Sequence, residues 1–211
     1  MTPPLTAQLI QRAVTELSAV DDDLAAIAKR HGPPPVWGRP AGFATLTRMI
    51  LEQQVSLKAA ATIYRRLGAQ VGGRVTAHRL ATCDIADLRA AGITGQKSSY
   101  IIGLAQAIAG GDIDLSDLAR RDDDEVRRRL MELRGIGVWT SDVYLLMVLR
   151  RPDIWPVGDL ALAISAQRVK RLRSRPDDKR LVRMARRWRP WRSVAARLLW
   201  QDYLAIQRRR R

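Results

Sequence analysis

Gly135 and Gly137 flank Ile136 between two stretches with helical spacing, and Trp139 lies at the start of the second stretch. Glycine adopts a positive φ angle without side-chain strain, so these residues can form a tight turn while Ile136 packs on the apolar side of the helix pair. The backbone N–H groups after the turn then point outwards, and free N–H groups at a helix N-terminus bind anions. The pattern fits a phosphate site, and it also fits an ordinary helix–helix turn, which is the more common use of such glycines.

The charge of the chain favours a polyanion as the partner. Lysine and arginine number 37 against 21 aspartate and glutamate residues, which gives a formal net charge of +16. Residues 168 to 211 hold 17 basic and 3 acidic residues, while apolar residues still recur there at spacings of three and four. This stretch is predicted to be a folded basic face with a frayed tail over residues 208 to 211. We expect the face to bind nucleic-acid phosphates, and a solvated surface helix is the alternative.

Composition also restricts the cofactors and the location. The one cysteine, Cys83, cannot form an internal disulfide, and the chain has no Cys/His cluster for zinc or for an iron–sulfur centre. No apolar run approaches the roughly 20 residues that span a membrane, and the first residues lack the pattern of a secretion signal. We therefore expect a cytoplasmic protein with no membrane partner.

The positions of apolar residues predict an all-α fold. Spacings of three and four recur along the chain, whereas the period-two alternation of strands is nearly absent. Two proline-containing connectors, HGPPPVWGRP and RPDIWPVG, divide the chain into a central lobe of residues 41 to 151 and a second lobe of residues 1 to 40 and 152 to 211. Helices are predicted over residues 5 to 30 with a break near 21 to 23, over 42 to 52, 85 to 91, 97 to 109, 123 to 133 and 138 to 150, and after Ser56, Asp159, Asp177 or Asp178, and Pro190.

Longer segments resemble a known family. The segment LRGIGVWTSDVYLL (133 to 146) resembles the helix-hairpin-helix of base-excision DNA glycosylases, and WPVGDLAL (155 to 162) resembles the segment that carries their catalytic aspartate. Three other segments are similar to the 3-methyladenine DNA glycosylase II branch of this HhH-GPD superfamily: FATLTRMILEQQVSLKAAATIYRRL (43 to 67), ITGQKSSYIIGLAQAI (93 to 108) and WRPWRSVAARLLW (188 to 200). The resemblance implies a two-lobed helical fold with a cleft between the lobes and no N-terminal β domain.

The same resemblance implies an activity. A member of this branch would flip an alkylated purine, such as 3-methyladenine or 7-methylguanine, out of double-stranded DNA and hydrolyse its N-glycosidic bond. Bifunctional relatives carry a lysine nucleophile where this chain has Trp139, so we expect no lyase activity. Two alternatives stay open: a non-enzymatic nucleic-acid-binding protein that uses the same hairpin, and a glycosylase for another base such as hypoxanthine or uracil.

By its position in the resembling segment, Asp159 is the candidate catalytic residue. A carboxylate near C1′ stabilises an oxocarbenium-like transition state and can orient or deprotonate the attacking water. An aspartate at the start of a helix is also an ordinary N-cap, and the two roles can coexist. Trp139 and Trp191 match aromatic residues that line the lesion site in the family, with Tyr144 and Trp37 as further candidates, and Val143 stands where the family has a tyrosine.

The resemblance also implies contacts with DNA. Gln53 and Gln54 match the segment that fills the gap left by the flipped base, and a polar helix terminus is the alternative. The backbone carbonyls of Leu133 and Ile136 are candidate ligands for a structural Na⁺ or K⁺, and no other cofactor and no oligomer is required. The residues expected to hold the phosphate backbone are Arg134, Gly135, Gly137, Thr140, Arg192 and Ser193.

Overall fold

The structure is a computed structural model, and it describes residues 3 to 209. These residues form α-helices, one 3-10 turn and connecting loops, with no strand among them. The predicted all-α class is therefore confirmed. The helices are α1 (Ala7–Val20), α2 (Asp22–His31), α3 (Phe43–Glu52), α4 (Leu57–Gln70), α5 (Ala77–Ala81), α6 (Ile85–Ala90), α7 (Gly95–Ala109), α8 (Leu115–Leu118), α9 (Asp123–Met131), α10 (Val138–Met147), α11 (Leu160–Val169), α12 (Asp178–Ala185) and α13 (Arg192–Arg209), and the 3-10 turn is Arg186–Trp188.

The chain divides into two compact units. The central unit is Arg39–Tyr144, and the terminal unit joins Met1–Gly38 to Leu145–Arg211. The sequence placed these boundaries at 40/41 and 151/152, whereas the second boundary of the structure falls inside α10. A continuous helix thus passes from one unit to the other, which a division at proline-containing connectors does not anticipate.

In the central unit, α7 is the helix on which the others assemble. It packs against α3, α5 and α6, and α3 packs in turn against α4. Large aliphatic side chains at these contacts are removed from water, which supplies the main drive for folding of the unit. They include Leu46, Ile50, Leu67, Leu80, Ile101 and Leu104.

In the terminal unit, the corresponding helix is α13. Every residue from Ser193 to Trp200 is buried, so this part of α13 is surrounded on all sides. It packs against α1, α2 and α11, which come from both ends of the chain. Three of the buried residues, Ser193, Arg197 and Trp200, carry polar groups, and such groups need hydrogen-bond partners inside the unit.

Helix starts follow the capping residues of the sequence. Ser56, Asp159 and Asp177 each accept a hydrogen bond from the first turn of the helix that they precede, as predicted. Helix ends differ more. α10 ends at Met147 rather than at residue 150, and Arg150 has a φ angle of 54°. The short helices α5 and α8 were not predicted, and α13 begins at Arg192 rather than at Pro190.

The C-terminal helix is longer than predicted. α13 continues through Arg208 and Arg209, where the sequence predicted fraying, and Arg210 and Arg211 lie outside the described residues. Between residues 3 and 209, none of the helices combines the length and the apolar character that a membrane span requires.

Asp21 joins three segments of the terminal unit through one buried carboxylate. It caps α2 by accepting the N–H groups of Asp23 and Leu24, and it also accepts the Trp188 indole N–H at 2.8 Å and a bond from the Lys170 ammonium. Burial by itself raises the pKa of this carboxyl, but the hydrogen bonds from Lys170 and Trp188 outweigh burial and lower the pKa below its ordinary value of 3.8. The carboxylate is therefore stabilised in its charged form.

Replacing this carboxylate should destabilise the protein. We expect Asp21→Asn to lower the free energy of unfolding at pH 7 by about 2–4 kcal/mol, because Lys170 and Trp188 lose a charged partner. Since the folded-state pKa is lowered, the contribution is present above about pH 4 and is lost as the pH falls through the folded-state value. Urea unfolding at pH 7 and at lower pH measures the difference between wild type and variant, which should shrink on acidification.

A matched control is Asp177→Asn, which changes the same group at an exposed helix cap of the same unit. Asparagine caps a helix about as well as aspartate, so this variant should stay within about 0.5 kcal/mol of wild type. Equal losses in the two variants would contradict the role assigned to Asp21.

Candidate functional site

The glycine hairpin lies in the central unit, between α9 and α10. Gly135 has a φ angle of 87°, and Ile136 is buried, as predicted for the residue that packs on the apolar side. The N–H of Ile136 donates to the Leu133 carbonyl at 3.1 Å, and the N–H of Ser141 donates to the Gly137 carbonyl at 3.0 Å, which starts α10. The N–H groups of the first turn of α10 have no acceptor within the helix, so this turn can bind an anion.

Tyr100 of α7 explains why residue 135 is glycine. A β-carbon built on Gly135 would lie 2.2 Å from a ring carbon of Tyr100. This contact is far shorter than van der Waals separation, and the positive φ angle adds backbone strain to any other residue. Gly137 differs, since a β-carbon there would meet no atom within 4 Å.

The loop between α3 and α4 is attached to the hairpin by Gln53. The side-chain amide of Gln53 donates to the Gly135 carbonyl at 2.9 Å and to the Thr140 hydroxyl at 3.2 Å. The Lys97 ammonium donates to the carbonyls of Leu51 and Gln53 at 2.9 and 2.6 Å, and burial lowers the pKa of Lys97. The loop and the hairpin therefore form one hydrogen-bonded structure.

Gln54 projects from this loop with a strained backbone. Its φ angle is 58° and its side chain is exposed. Holding a residue other than glycine in this left-handed backbone region costs about 1–3 kcal/mol of conformational energy, and such strain clusters at functional sites. Leu57, the first residue of α4, is 68% exposed although it is apolar. A surface depression of about 430 Å³ adjoins the loop and the hairpin, lined by Gln53, Gln54, Gln96, Lys97, Tyr100, Gly135, Ile136 and Gly137.

Asp159 lies in the terminal unit, at the N-cap of α11. Its Oδ1 accepts the N–H of Leu162 at 2.9 Å and the indole N–H of Trp200 at 3.1 Å. The residue is 8% exposed. Gly158, immediately before it, has a φ angle of 84°, so the chain turns sharply into the helix. The expected cap is present, and the carboxylate has a second donor from α13.

The residues before Asp159 are held by the first turn of α13. The Ser193 hydroxyl donates to the Arg151 carbonyl at 2.7 Å and accepts the Ile154 N–H at 2.9 Å. Arg192 pairs with Asp153 through Nε at 2.7 Å and Nη2 at 3.0 Å. Both residues were predicted to contact phosphate. The buried hydroxyl of Ser193 and the paired guanidinium of Arg192 instead hold the connector, which argues against direct phosphate contacts by these side chains.

The aromatic candidates differ in accessibility. Trp139 and Trp191 are half-buried, and the Trp191 indole N–H donates to Glu16. Trp37 is also half-buried and lines a depression of about 280 Å³ with residues of α13, and Asp159 is not among the lining residues. Tyr144 is fully buried, so its ring has no face open to a base, and this argues against its predicted place in a base pocket. Val143, at the position of the family tyrosine, is buried as well.

The other predicted DNA-binding residues are distributed as follows. Arg134, Gly137 and Gln54 are exposed, and Gly135 is half-buried. Thr140 is buried, and its hydroxyl accepts the bond from Gln53, so any phosphate contact there would use the backbone N–H rather than the side chain. Arg134 and the two hairpin glycines remain the best-placed predicted residues.

The predicted cation site involves backbone carbonyls at the hairpin. The Leu133 carbonyl accepts one N–H, from Ile136, and a carbonyl oxygen has two lone pairs. The local structure is therefore compatible with an oxygen-liganded monovalent cation. The cation itself stays a prediction.

No role was predicted for Lys97 or Tyr100, although both lie in the segment from 93 to 108 that resembles the family. Trp188 and Trp200 lie on apolar helix faces, and both are buried. Each indole N–H, however, donates to a buried carboxylate, Trp188 to Asp21 and Trp200 to Asp159. An aromatic residue on an apolar helix face gives no signal for such a partner, because the partner is distant in the sequence.

Comparison with known proteins places these features in a family. The model of the HhH-GPD superfamily of base excision DNA repair proteins matches residues 47 to 192. This range includes the α3–α4 loop, the glycine hairpin and Asp159.

The chain belongs to the HhH-GPD superfamily.

Relatives within the superfamily carry related names. A putative DNA-3-methyladenine glycosylase of Bacillus subtilis is 29% identical over 85% of this chain, and the match spans 65% of the relative. The crystal structure of DNA-3-methyladenine glycosidase from Bacillus halodurans superposes with a TM-score of 0.81 at 29% identity, over 93% of this chain and 91% of that chain. The 3-methyladenine DNA glycosylase of Schizosaccharomyces pombe, in complex with abasic DNA, gives a TM-score of 0.81 at 26% identity, over 90% and 95%. The predicted branch and the HhH-GPD fold are thereby confirmed.

The hairpin geometry makes a prediction about stability. We expect Gly135→Ala to lower the free energy of unfolding by about 2–4 kcal/mol, because the methyl group collides with Tyr100 and the φ angle is unfavourable. Gly137→Ala is the matched control and should cost less than about 1 kcal/mol, since its methyl group enters open space. Urea unfolding of both variants measures the difference. A Gly135→Ala protein as stable as Gly137→Ala would contradict the packing of Tyr100 on the hairpin.

Proposed function

We propose that the chain is a monofunctional DNA glycosylase that hydrolyses the N-glycosidic bond of alkylated purines in base excision repair. The observation that carries the proposal is the carboxylate of Asp159, which two N–H donors hold at the start of α11 in a member of this repair superfamily. The names of the relatives support 3-methyladenine-type bases as substrates. The relative solved in complex with abasic DNA supports DNA as the partner, and we propose that the substrate is double-stranded and that the product is an abasic site.

In the proposed reaction, Asp159 stabilises positive charge on the sugar. As the bond between C1′ and the purine breaks, the sugar becomes oxocarbenium-like, and a fixed carboxylate lowers the energy of that state. Water then adds at C1′, and Asp159 orients it or accepts its proton. The purine departs with the bonding electron pair, and alkylation at N3 or N7 makes it a good leaving group because the base is already cationic.

Recognition of the base is proposed to use the accessible tryptophans. A cationic purine is attracted to an aromatic face by about 0.5–2 kcal/mol, and Trp139 and Trp191 are the half-buried candidates. Trp37 remains a weaker candidate for the same role. Uncharged purines gain less from an aromatic face, so such a contact would favour alkylated bases.

The central unit is proposed to hold the DNA beside the lesion. The N–H groups that follow Gly137 bind a phosphate together with Arg134, since a helix N-terminus and a guanidinium both favour an anion. The exposed and strained Gln54 fills the gap that the flipped base leaves and hydrogen-bonds the unpaired base opposite. Flipping costs a few kcal/mol, and a residue that occupies the gap offsets part of that cost.

The lysine nucleophile of bifunctional relatives is replaced by Trp139, so a Schiff base with the sugar has no amine at this position. We propose that the protein releases the base without cleaving the strand and acts as a monomer. It needs no cofactor for the chemistry, and a Na⁺ or K⁺ at Leu133 and Ile136 would have a structural role. Its place of action would be the DNA inside the cell.

Base release from methylated duplex DNA, followed by chromatography, tests the proposal. Wild type should release methylpurines, and Asp159→Asn should release them at least ~100-fold more slowly, because the charge that stabilises the transition state is removed. The control Asp177→Asn makes the same change at the cap of α12 and should keep the wild-type rate. Binding of both variants to a duplex with an abasic site should remain.

The alternative functions give other results in the same assay. Tight DNA binding by wild type with no base released would favour a non-enzymatic binding protein, and release of hypoxanthine or uracil alone would favour another base. Unchanged release by Asp159→Asn would remove Asp159 from the mechanism. Strand breaks without heat or alkali would contradict the absence of lyase chemistry.

A further inference from the structure

One face of α13 makes hydrogen bonds to the segment that leads to Asp159. Ser193, Arg197 and Trp200 follow one another at spacings of four and three, so their side chains share a face of the helix. Ser193 binds the backbone at residues 151 and 154, and Arg197 donates to the carbonyls of Leu146 and Trp37 at 2.9 and 2.7 Å. Trp200 donates to Asp159. The chain from residue 146 to residue 159 is thus attached to α13 at successive points.

The three side chains are withdrawn from water, which makes these bonds difficult to replace. Ser193 and Arg197 are fully buried, and Trp200 is 9% exposed. A buried donor that loses its acceptor has no water to bond in exchange, so each bond resists displacement of the segment. This face of α13 therefore fixes where the segment lies relative to the helix. Trp200 donates to Asp159, which is the last residue of the segment.

The bond from Trp200 helps to fix how the Asp159 carboxylate is turned. The torsion that rotates a carboxylate about its Cβ–Cγ bond has broad energy wells, so a single N-cap bond leaves considerable rotation. In this protein Oδ1 accepts two donors from different elements, the Leu162 N–H of α11 and the Trp200 indole of α13. Two donors on one oxygen restrict the rotation and set the direction of the whole carboxylate.

We propose that Trp200 is a positioning residue for the glycosylase reaction, whose indole N–H holds the Asp159 carboxylate in the orientation that faces the breaking glycosidic bond. This proposal rests on the catalytic role proposed for Asp159. Misplacement of a reacting group by about 1 Å can reduce a rate ~100-fold, so loss of the donor should affect the chemical step. DNA binding depends on other groups and should not change.

Trp188 supplies a matched control. Its indole N–H donates to the buried carboxylate of Asp21 at 2.8 Å, in the same unit and with the same chemistry, but Asp21 is given no part in the reaction. Trp188→Phe therefore removes an equivalent bond and a similar volume. It separates the general cost of losing a buried tryptophan from an effect on Asp159.

The first experiment measures single-turnover release of methylpurine at saturating protein, together with affinity for an abasic-site duplex. We expect Trp200→Phe to lower the rate constant ~10–100-fold and to leave the affinity within ~2-fold, whereas Trp188→Phe keeps the rate within ~2-fold. Should Trp200→Phe fold poorly, β-(3-benzothienyl)alanine at position 200 replaces only the N–H by sulfur, and the same loss of rate is expected. A normal rate in either Trp200 variant would overturn the proposal.

The second experiment repeats the substitution in the Asp159→Asn protein. If Trp200 acts through Asp159, adding Trp200→Phe should lower the remaining rate by less than ~3-fold, because residues that act as a unit are not additive. If Trp200→Phe lowered the rate by the same factor in wild type and in Asp159→Asn, the effect would be a general structural one and the proposal would be overturned. Base release by wild type that is insensitive to Trp200 would leave the proposed function standing, whereas no release by wild type would refute the function and this proposal together.

Discussion

The hydrogen bonds to the Asp159 carboxylate are the interaction on which the account depends. A carboxylate that is 8% exposed has lost most of its hydrating water, and hydrogen-bond donors of the protein take the place of that water. One donor is the Leu162 N–H, which exists because Gly158 turns the chain into α11 at this residue. A second donor is the Trp200 indole, which reaches Asp159 because α13 packs against α11 inside the terminal unit. A local N-cap bond and a long-range bond from α13 therefore meet at the same carboxylate oxygen. Together they hold the carboxylate in a fixed direction.

In the central unit, hydrogen bonds and packing hold the hairpin so that backbone N–H groups can bind an anion. The Lys97 ammonium and the Gln53 amide donate hydrogen bonds to backbone carbonyls at the loop and the hairpin, so these carbonyl oxygens have partners within the protein. Tyr100 lies against Gly135 and fixes the turn. The first turn of α10 can then donate outwards. The proposed function thus assigns the chemistry and the binding of DNA phosphate to separate units, and a central helix, α13 or α7, supports each unit.

Much of this fold follows from local sequence signals, and the rest does not. The starts of α4, α11 and α12 could be predicted because Ser56, Asp159 and Asp177 bond to N–H groups within three residues. α5 and α8 have five and four residues, too few for a periodic pattern. Burial of Trp200 could be predicted from its apolar helix face, but its bond to Asp159 joins residues 41 apart. Charge counts have the same limit: Arg192, Arg197 and Lys170 belong to the basic stretch, yet they bond to internal groups and add little to a surface for phosphate.

The most direct test of the central claim compares how tightly the protein binds two duplexes that differ by one charge. The first carries a cationic pyrrolidine in place of the abasic sugar, and the second carries neutral tetrahydrofuran. If Asp159 stabilises positive charge at the sugar, wild type should bind the pyrrolidine duplex at least ~10-fold more tightly, as one buried charge pair of about 1.4 kcal/mol requires, and Asp159→Asn should lose this preference. An equal preference for the cationic sugar in wild type and Asp159→Asn would contradict the account.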